Sequence, residues 1–438
     1  MPHENRLSII FDSVPATPRP AKGQSGQYSF GLTDKKSNLV NLARASYDAH
    51  MKHSIDVNGK EILRLLWQHE ALSRWELHEL TNNTPNQVGS DVADLIKRGL
   101  VRERSPDISG PGRPRVPLEI DPSRRYVLGV AIRPGHVELA RLNLRGETSD
   151  HPLQSKPVIS NAVVPTACEL IRANISSGCV AIGLSTPGFV DSDHRQIISS
   201  SAVAGEGPVE LEPLYAAAVG VPITLENDMH ALAARWLLTK EDSGREDVIL
   251  VFIEDGQLGA AVLVNGQPNR GCVVGANDLG HTRFFIKTEK CFCGRYGCLE
   301  RICSTPFLSG IDGKTQSFLE RVKTLRHWAD APALRKMTRY LAVGMANAAN
   351  FMHPDRMVLV SPFTRYPLFR DALIGLVRRN LLTGLVDLID FDVWEQPSTE
   401  HAETAGWLAL VALYRDGWNR VSPVAAEIKE IPRNKSKC

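Results

Sequence analysis

The chain has 438 residues, 43% of them hydrophobic, with eight cysteines and a formal net charge of +2. That length and composition predict two or three folded units with ordinary apolar cores, and the near-neutral balance points to no partner by itself. Eight cysteines without a regular framework argue against a disulfide scaffold. The start lacks a basic segment followed by a long apolar run, and the uncharged stretch Ala405 to Tyr414 is too short to span a bilayer. A cytoplasmic protein with no membrane partner is expected.

Residues 1–56 read as a tail. The first 28 or so are rich in Pro, Ser, Gly and basic residues and are expected to be disordered. Residues 33–53 show a weakly periodic helical pattern.

Residues 57–121 predict a winged helix-turn-helix. The first helix covers about Gly59 to Gln68, with Ile62, Leu63, Leu65 and Leu66 apolar. A second opens at Ser73, where Ser73 and Glu76 have the spacing of a capping box. A third opens at Thr84 with Pro85 at the first helical position. Val88, Val92, Leu95 and Ile96 form its apolar stripe, and Gly99 ends it. Two β-rich runs follow, Leu100 to Arg104 and Val116 to Ile120, around a turn-rich tip.

The polar face of the third helix carries Asn86, Gln87, Ser90 and Asp91, residue types that can read base edges in a major groove. A plain solvated face would look the same. Between Lys97 and Arg115 stand six basic residues, among them Arg102, Arg104, Arg113 and Arg115, against Glu103 and Asp107. This unevenness places positive charge where a DNA backbone would lie. Gly112-Arg113-Pro114 has the character of a minor-groove hook.

From Arg125 the pattern changes. Apolar strands are expected at Tyr126 to Ile132, His136 to Leu142, Val180 to Leu184, Ile223 to Leu225, Val248 to Ile253, Ala260 to Val264 and Met357 to Val360. Helical segments lie between and after them, including Met229 to Leu238, Met337 to Met352 and Ala405 to Trp418. The alternation argues for an α/β architecture over residues 122–425, with a tail at 426–438.

Within this region one stretch carries chemistry. Nine residues separate His281 from Cys291, one separates Cys291 from Cys293, and four separate Cys293 from Cys298. Gly294 and Gly297 lie inside the last interval, where a tight knuckle needs positive φ. One imidazole and three thiolates make a closed tetrahedral set, the usual ligands of structural Zn²⁺. The alternative is reduced cysteines that merely cluster.

The pattern H-x9-C-x-C-G-x-x-G-C-x-E resembles the signature of the ROK family of repressors, open reading frames and sugar kinases. The resemblance implies a two-lobed actin-like (ribonuclease H-like) body of the ATPase type, with lobes meeting near residues 236–246 and a sugar cleft between them. It also implies that Asn227, Asp228, Asp278, His281 and Glu300 contact the sugar, with His281 serving zinc through its other nitrogen. Asn227 and Asp228 alone would equally suit a helix cap.

The family's kinases hold ATP with glycine-rich turns. The matching positions here read Ala131, Ile132, Arg133, Pro134 and Gly135, then Asp255, Gly256, Gln257, Leu258, Gly259, Ala260 and Ala261, then Val360, Ser361 and Pro362. Pro134 has no N–H to offer a phosphate, Ala131 replaces a carboxylate expected to serve magnesium, and Asp255 adds a negative charge. The expectation is a repressor of transcription without kinase activity, responsive to a sugar or sugar phosphate and bound to operator DNA as a homodimer or homotetramer. The rivals are a sugar kinase fused to a DNA-binding domain and a regulator controlled by a protein partner.

Overall fold

The computed structural model describes residues 55–105, 115–148, 153–203, 207–240, 246–271, 277–395 and 401–415. The expected tails, the weak helix at 33–53, and Arg113 with its flanking Gly112 and Pro114 lie outside these residues.

The first described elements are three helices and a small sheet. Helix α1 (Val57–His69) starts where the Asp56 carboxylate accepts from the Gly59 N–H at 2.8 Å. Strand β1 (Leu72–Ser73) leads into α2 (Arg74–Thr81), and both halves of the Ser73–Glu76 capping box are formed. Helix α3 (Pro85–Arg98) is capped by the Thr84 side chain and closed by Gly99 in the left-handed region. Strands β2 (Val101–Glu103) and β3 (Pro117–Ile120) pair antiparallel, and β1 joins the other edge of β3. Ile62, Leu66, Leu77, Val88, Val92, Leu118 and Ile120 bury their side chains together.

A five-stranded sheet follows. Strands β4 (Tyr126–Arg133), β5 (His136–Asn143) and β6 (Gln154–Pro157) form an antiparallel meander. Helix α4 (Val163–Asn174) crosses to β7 (Cys179–Thr186), which lies parallel to β4. A side sheet holds β8 (Phe189–Asp191), β9 (Gln196–Ser199) and β10 (Val209–Glu210). Helix α5 (Glu212–Ala217) then leads to β11 (Ile223–Asn227), parallel to β7. Strands β4 and β7 are buried almost throughout, which is why they read as unbroken apolar runs.

Helix α6 (Asp228–Thr239) passes to a second five-stranded sheet. Here β12 (Val248–Glu254), β13 (Gln257–Val264) and β14 (Gln267–Pro268) form the meander. Helices α7 (Leu299–Ile302), α8 (Thr305–Asp312), α9 (Phe318–Lys323) and α10 (Pro332–Met352) precede β15 (Arg356–Val360), parallel to β12. Helix α11 (Pro367–Asn380) precedes β16 (Asp390–Trp394), parallel to β15. The strand orders, β6-β5-β4-β7-β11 and β14-β13-β12-β15-β16, repeat one topology twice.

The last helix, α12 (His401–Tyr414), returns to the first sheet and is buried along nearly its whole length. Its backbone lies directly on β4 and β7: a methyl group on Gly183 would stand 1.8 Å from the Ala405 carbonyl. Among the described residues no helix is long and apolar enough to cross a membrane.

Candidate metal centre and ligand cleft

The four expected metal ligands come together. The ligand atoms of His281, Cys291, Cys293 and Cys298 all lie within 4.8 Å of one another. Cys293 Sγ is 3.6 Å from Cys298 Sγ, and Cys291 Sγ is 3.5 Å from His281 Nδ1. A tetrahedron with Zn–S near 2.3 Å and Zn–N near 2.05 Å has edges of about 3.8 Å between sulfurs and about 3.6 Å between sulfur and nitrogen. The donor set therefore fits a Zn²⁺-sized ion. The sulfurs are too far apart for a disulfide, whose bond is about 2.05 Å.

Local geometry builds this knuckle. The Cys291 N–H donates to the Arg295 carbonyl and the Gly294 N–H to Cys291, closing a tight loop. At Gly297 φ is +79°, and a side chain would meet the Phe284 carbonyl at 2.1 Å. Phe284 N–H to Gly297 O and Leu299 N–H to Thr282 O tie the knuckle to the segment that carries His281. Burial pushes the Cys291 thiol up to about 12. A coordinating cation reverses that preference by stabilising the thiolate.

The same knuckle carries two of the groups expected to contact a sugar. His281 Nε2 faces Asp278 Oδ2 at 3.5 Å, on the ring edge opposite Nδ1. The Glu300 carboxylate, on α7, lies 3.6 Å from Cys291 Sγ and 3.4 Å from Arg301. Asp228 opens α6 and feels the charge of Asp278. Burial raises the carboxyl pKa of Asp228, Asp278 and Glu300. For Asp228 this outweighs the opposing pull of Arg133. Asn227 is also the N-cap of α6, its Oδ1 accepting from the His230 N–H at 2.9 Å. Capping uses one oxygen and leaves its amide NH2 available.

Sequence reasoning passed over the groups behind these. Glu226 is buried, with His230 Nδ1 at 2.8 Å and Arg270 Nε at 2.5 Å. Burial acts to raise its pKa, but the charges of His230 and Arg270 and their hydrogen bonds outweigh it, and the carboxyl ends below its usual range. His401 lines a cavity of about 10 Å³ with Ser185, Asp228 and Thr404, and its buried Nε2 has no hydrogen-bond partner among the described residues. No local motif marks any of these residues.

The three turns that differ from a phosphate cradle are occupied by the protein itself. Arg133 reaches from β4 to Gln257 on β13, 3.2 Å away. Its positive charge also pulls down the carboxyl pKa of Asp228, Glu138 and Glu254, although burial outweighs it at each. In the β12–β13 turn the Gly256 N–H donates to the Cys303 carbonyl at 2.9 Å. The Asp255 carboxylate accepts from the Thr305 N–H at 2.7 Å and from its hydroxyl. At the third turn the Ser361 hydroxyl bonds the Ile253 carbonyl and caps the turn beginning at Pro362.

On the expected DNA face, Asn86, Gln87 and Ser90 are exposed, while Asp91 is half-buried and accepts from the Gln87 amide at 2.7 Å. Arg102 and Arg104 both pair with the buried Glu119, Arg102 at 2.6 Å. Their charge is thus partly compensated within the protein. Arg115 is exposed beside Glu76.

A family profile described as the ROK family matches residues 128–412. The chain belongs to the ROK family. Its actin-like α/β body is the fold of solved ROK proteins. A ROK transcriptional regulator, homologous to the Mlc protein of E. coli, superposes with TM-score 0.68 at 20% identity, covering 83% of this chain and 97% of that one. A Streptomyces griseus ROK glucokinase, crystallised with glucose and AMPPNP, superposes at 0.51 with 21% identity over 65% of this chain and 99% of the glucokinase. In sequence, the xylose repressor of Bacillus subtilis is 24% identical over 318 residues, 69% of this chain and 81% of the repressor. The DNA-binding transcriptional dual regulator NagC of Escherichia coli is 24% identical over 336 residues, 70% and 81% of the two chains.

Proposed function

We propose that this ROK protein is a sugar-responsive, DNA-binding transcriptional repressor without kinase activity. The observation that carries the proposal is a contrast within one cleft. The Asp278 carboxylate lies 3.5 Å from His281, Glu300 feels the His281 charge and Asp228 that of Asp278, while the Gly256 N–H that a phosphate would need is bonded to Cys303. Sugar hydroxyls suit such acceptors, and a cradle without free N–H groups does not suit a nucleotide. Similarity to the xylose repressor and NagC supports the regulatory side of the reading.

In this reading residues 57–121 form a winged helix-turn-helix that docks α3 in the major groove. Asn86, Gln87, Ser90 and Asp91 face the bases, and Arg102, Arg104, Arg113 and Arg115 face phosphates. Residues 122–425 form the two-lobed sugar-binding body, with the boundary near 236–246. His281, Cys291, Cys293 and Cys298 hold one structural Zn²⁺, which when bound fixes the loop that aims His281 and Glu300. Asn227, Asp228, Asp278, His281 and Glu300 contact the sugar. A homodimer presents two DNA-binding heads and a homotetramer four. The charge of Arg133 already acts on three carboxylates, so the cleft has little spare positive charge and favours an uncharged sugar over its phosphate.

The test is selection of DNA fragments by the full chain, followed by fluorescence anisotropy across a sugar panel. Salt-dependent binding of particular fragments, shifted at least tenfold by one sugar, is expected. Retention of no sequence would overturn the proposal. So would turnover of ATP and a hexose that disappears in Asp228→Asn.

A further inference from the structure

A pocket of about 330 Å³ lies at the start of α10, away from the cleft residues. Trp328, Ala329, Arg335, Arg339, Leu376 and Arg379 line it. Three of these six are arginines and none is acidic. Arg335 and Arg339 sit one turn apart on α10, and Arg379 comes from the last turn of α11. Arg335 is steadied by the Ala329 carbonyl at 3.3 Å. Arg339 and Arg379 carry no hydrogen bond or ion pair to another described residue.

Other arginines on the surface find a carboxylate, as Arg195 does with Glu212 and Arg365 with Glu395. Three guanidiniums around one concavity without one repel each other. Arg335 is worse placed still, because the N-terminal end of α10 already carries partial positive charge. An anion in the pocket would relieve all of this. Planar guanidinium forks suit phosphate oxygens in particular. The remaining walls are apolar: Trp328 and Leu376 are half-buried and pack against the buried apolar side chains of the second five-stranded sheet and its helices.

We propose that this pocket is a second ligand site, which takes a small phosphorylated metabolite. The phosphate lies among Arg335, Arg339 and Arg379. The sugar or base ring lies against Trp328 and Leu376. The volume suits a sugar phosphate or a nucleoside monophosphate, not a polymer. This proposal stands apart from the reading of the cleft and shares no residue with it.

Calorimetric titration of the full, zinc-loaded chain at low ionic strength, with AMP, glucose 6-phosphate and inorganic phosphate, tests it. Saturable binding of AMP or of glucose 6-phosphate is expected, and which one binds identifies the ring. The Arg339→Gln/Arg379→Gln variant should weaken that binding at least tenfold, and Asp228→Asn should leave it unchanged. Trp328→Ala should weaken the ring-bearing ligand and not inorganic phosphate. Both arginines are exposed, so an unaltered melting curve should show that the double variant folds. The proposal fails if neither metabolite binds or if binding survives the double variant. It also fails if inorganic phosphate binds as tightly as the metabolites, or if Asp228→Asn abolishes the signal.

Discussion

At Asp228 the proposed sugar contact and the stability of the fold oppose each other. Burial raises its carboxyl pKa above the ordinary 3.8, against the lowering effect of Arg133 and its helix-start N–H groups. A raised pKa means that the folded state binds the proton more tightly than the unfolded chain. Stability then falls as pH rises from the ordinary value through the raised one, and stays lower above it. Asp228→Asn keeps the shape and removes the charge. The variant should melt higher than wild type at pH 7, and the gap should close as the pH falls toward 4. The same variant should lose sugar affinity. A lower melting temperature for the variant at pH 7 would mean that the carboxylate is stabilised by contacts beyond those described. The neighbouring Glu226 has the opposite balance, because His230 and Arg270 outweigh its burial.

Elements in this chain are held by local signals and by close approach of backbones. On the first sheet, α12 lies so near β7 that a methyl on Gly183 would overlap the Ala405 carbonyl, and one on Gly129 the Ala402 carbonyl. Gly183→Ala should therefore cost more than about 3 kcal/mol, measured by urea unfolding; a cost under 1 kcal/mol would show that α12 can lift without loss. The metal loop depends on its ligands in the same way. Chelation of zinc, or Cys298→Ser, should lower the melting temperature and abolish sugar binding while leaving α1–α3 folded by hydrogen exchange. Unchanged sugar binding in the stripped protein would contradict a positioning role for the ion. Much of this was legible in the sequence because it is local. Ser73 and Glu76, Thr84 and Pro85, Gly99, and the spacing of His281 to Cys298 each act within a few residues or one loop. The contacts that sequence reading missed join distant positions: Arg270 to Glu226 across 44 residues and Thr305 to Asp255 across 50. Nothing in either segment's own pattern specifies such a partner. The duplicated sheet topology was hidden for the same reason, since strand order is a long-range property.

Across the whole molecule, one helix joins the cleft to the expected DNA-binding head. Helix α6 begins at Asp228, and near its other end the Leu238 carbonyl accepts from Trp67 Nε1 of α1 at 2.6 Å. Twelve residues at 1.5 Å each make it a rod of about 18 Å. Trp67 also packs against Trp407 and Tyr414 of α12, with ring centres 5.8 and 5.3 Å away. A ligand that pulls on Asp228 can thus shift α1, provided it binds two lobe arrangements unequally. Trp67→Ala should keep both sugar binding and DNA binding and reduce the effect of one on the other. Undiminished coupling in that variant would assign the signal to another route. The proposed function comes down to something narrower: that this ROK body binds a sugar without a nucleotide. Calorimetric titration of the zinc-loaded chain with a panel of hexoses, pentoses and amino sugars, each with and without magnesium-ATP, addresses it most directly. The account predicts saturable heat from at least one sugar, the same with or without ATP, absent in Asp228→Asn and never followed by ADP release. Sugar binding that requires ATP, or ADP appearing in step with sugar, would contradict it.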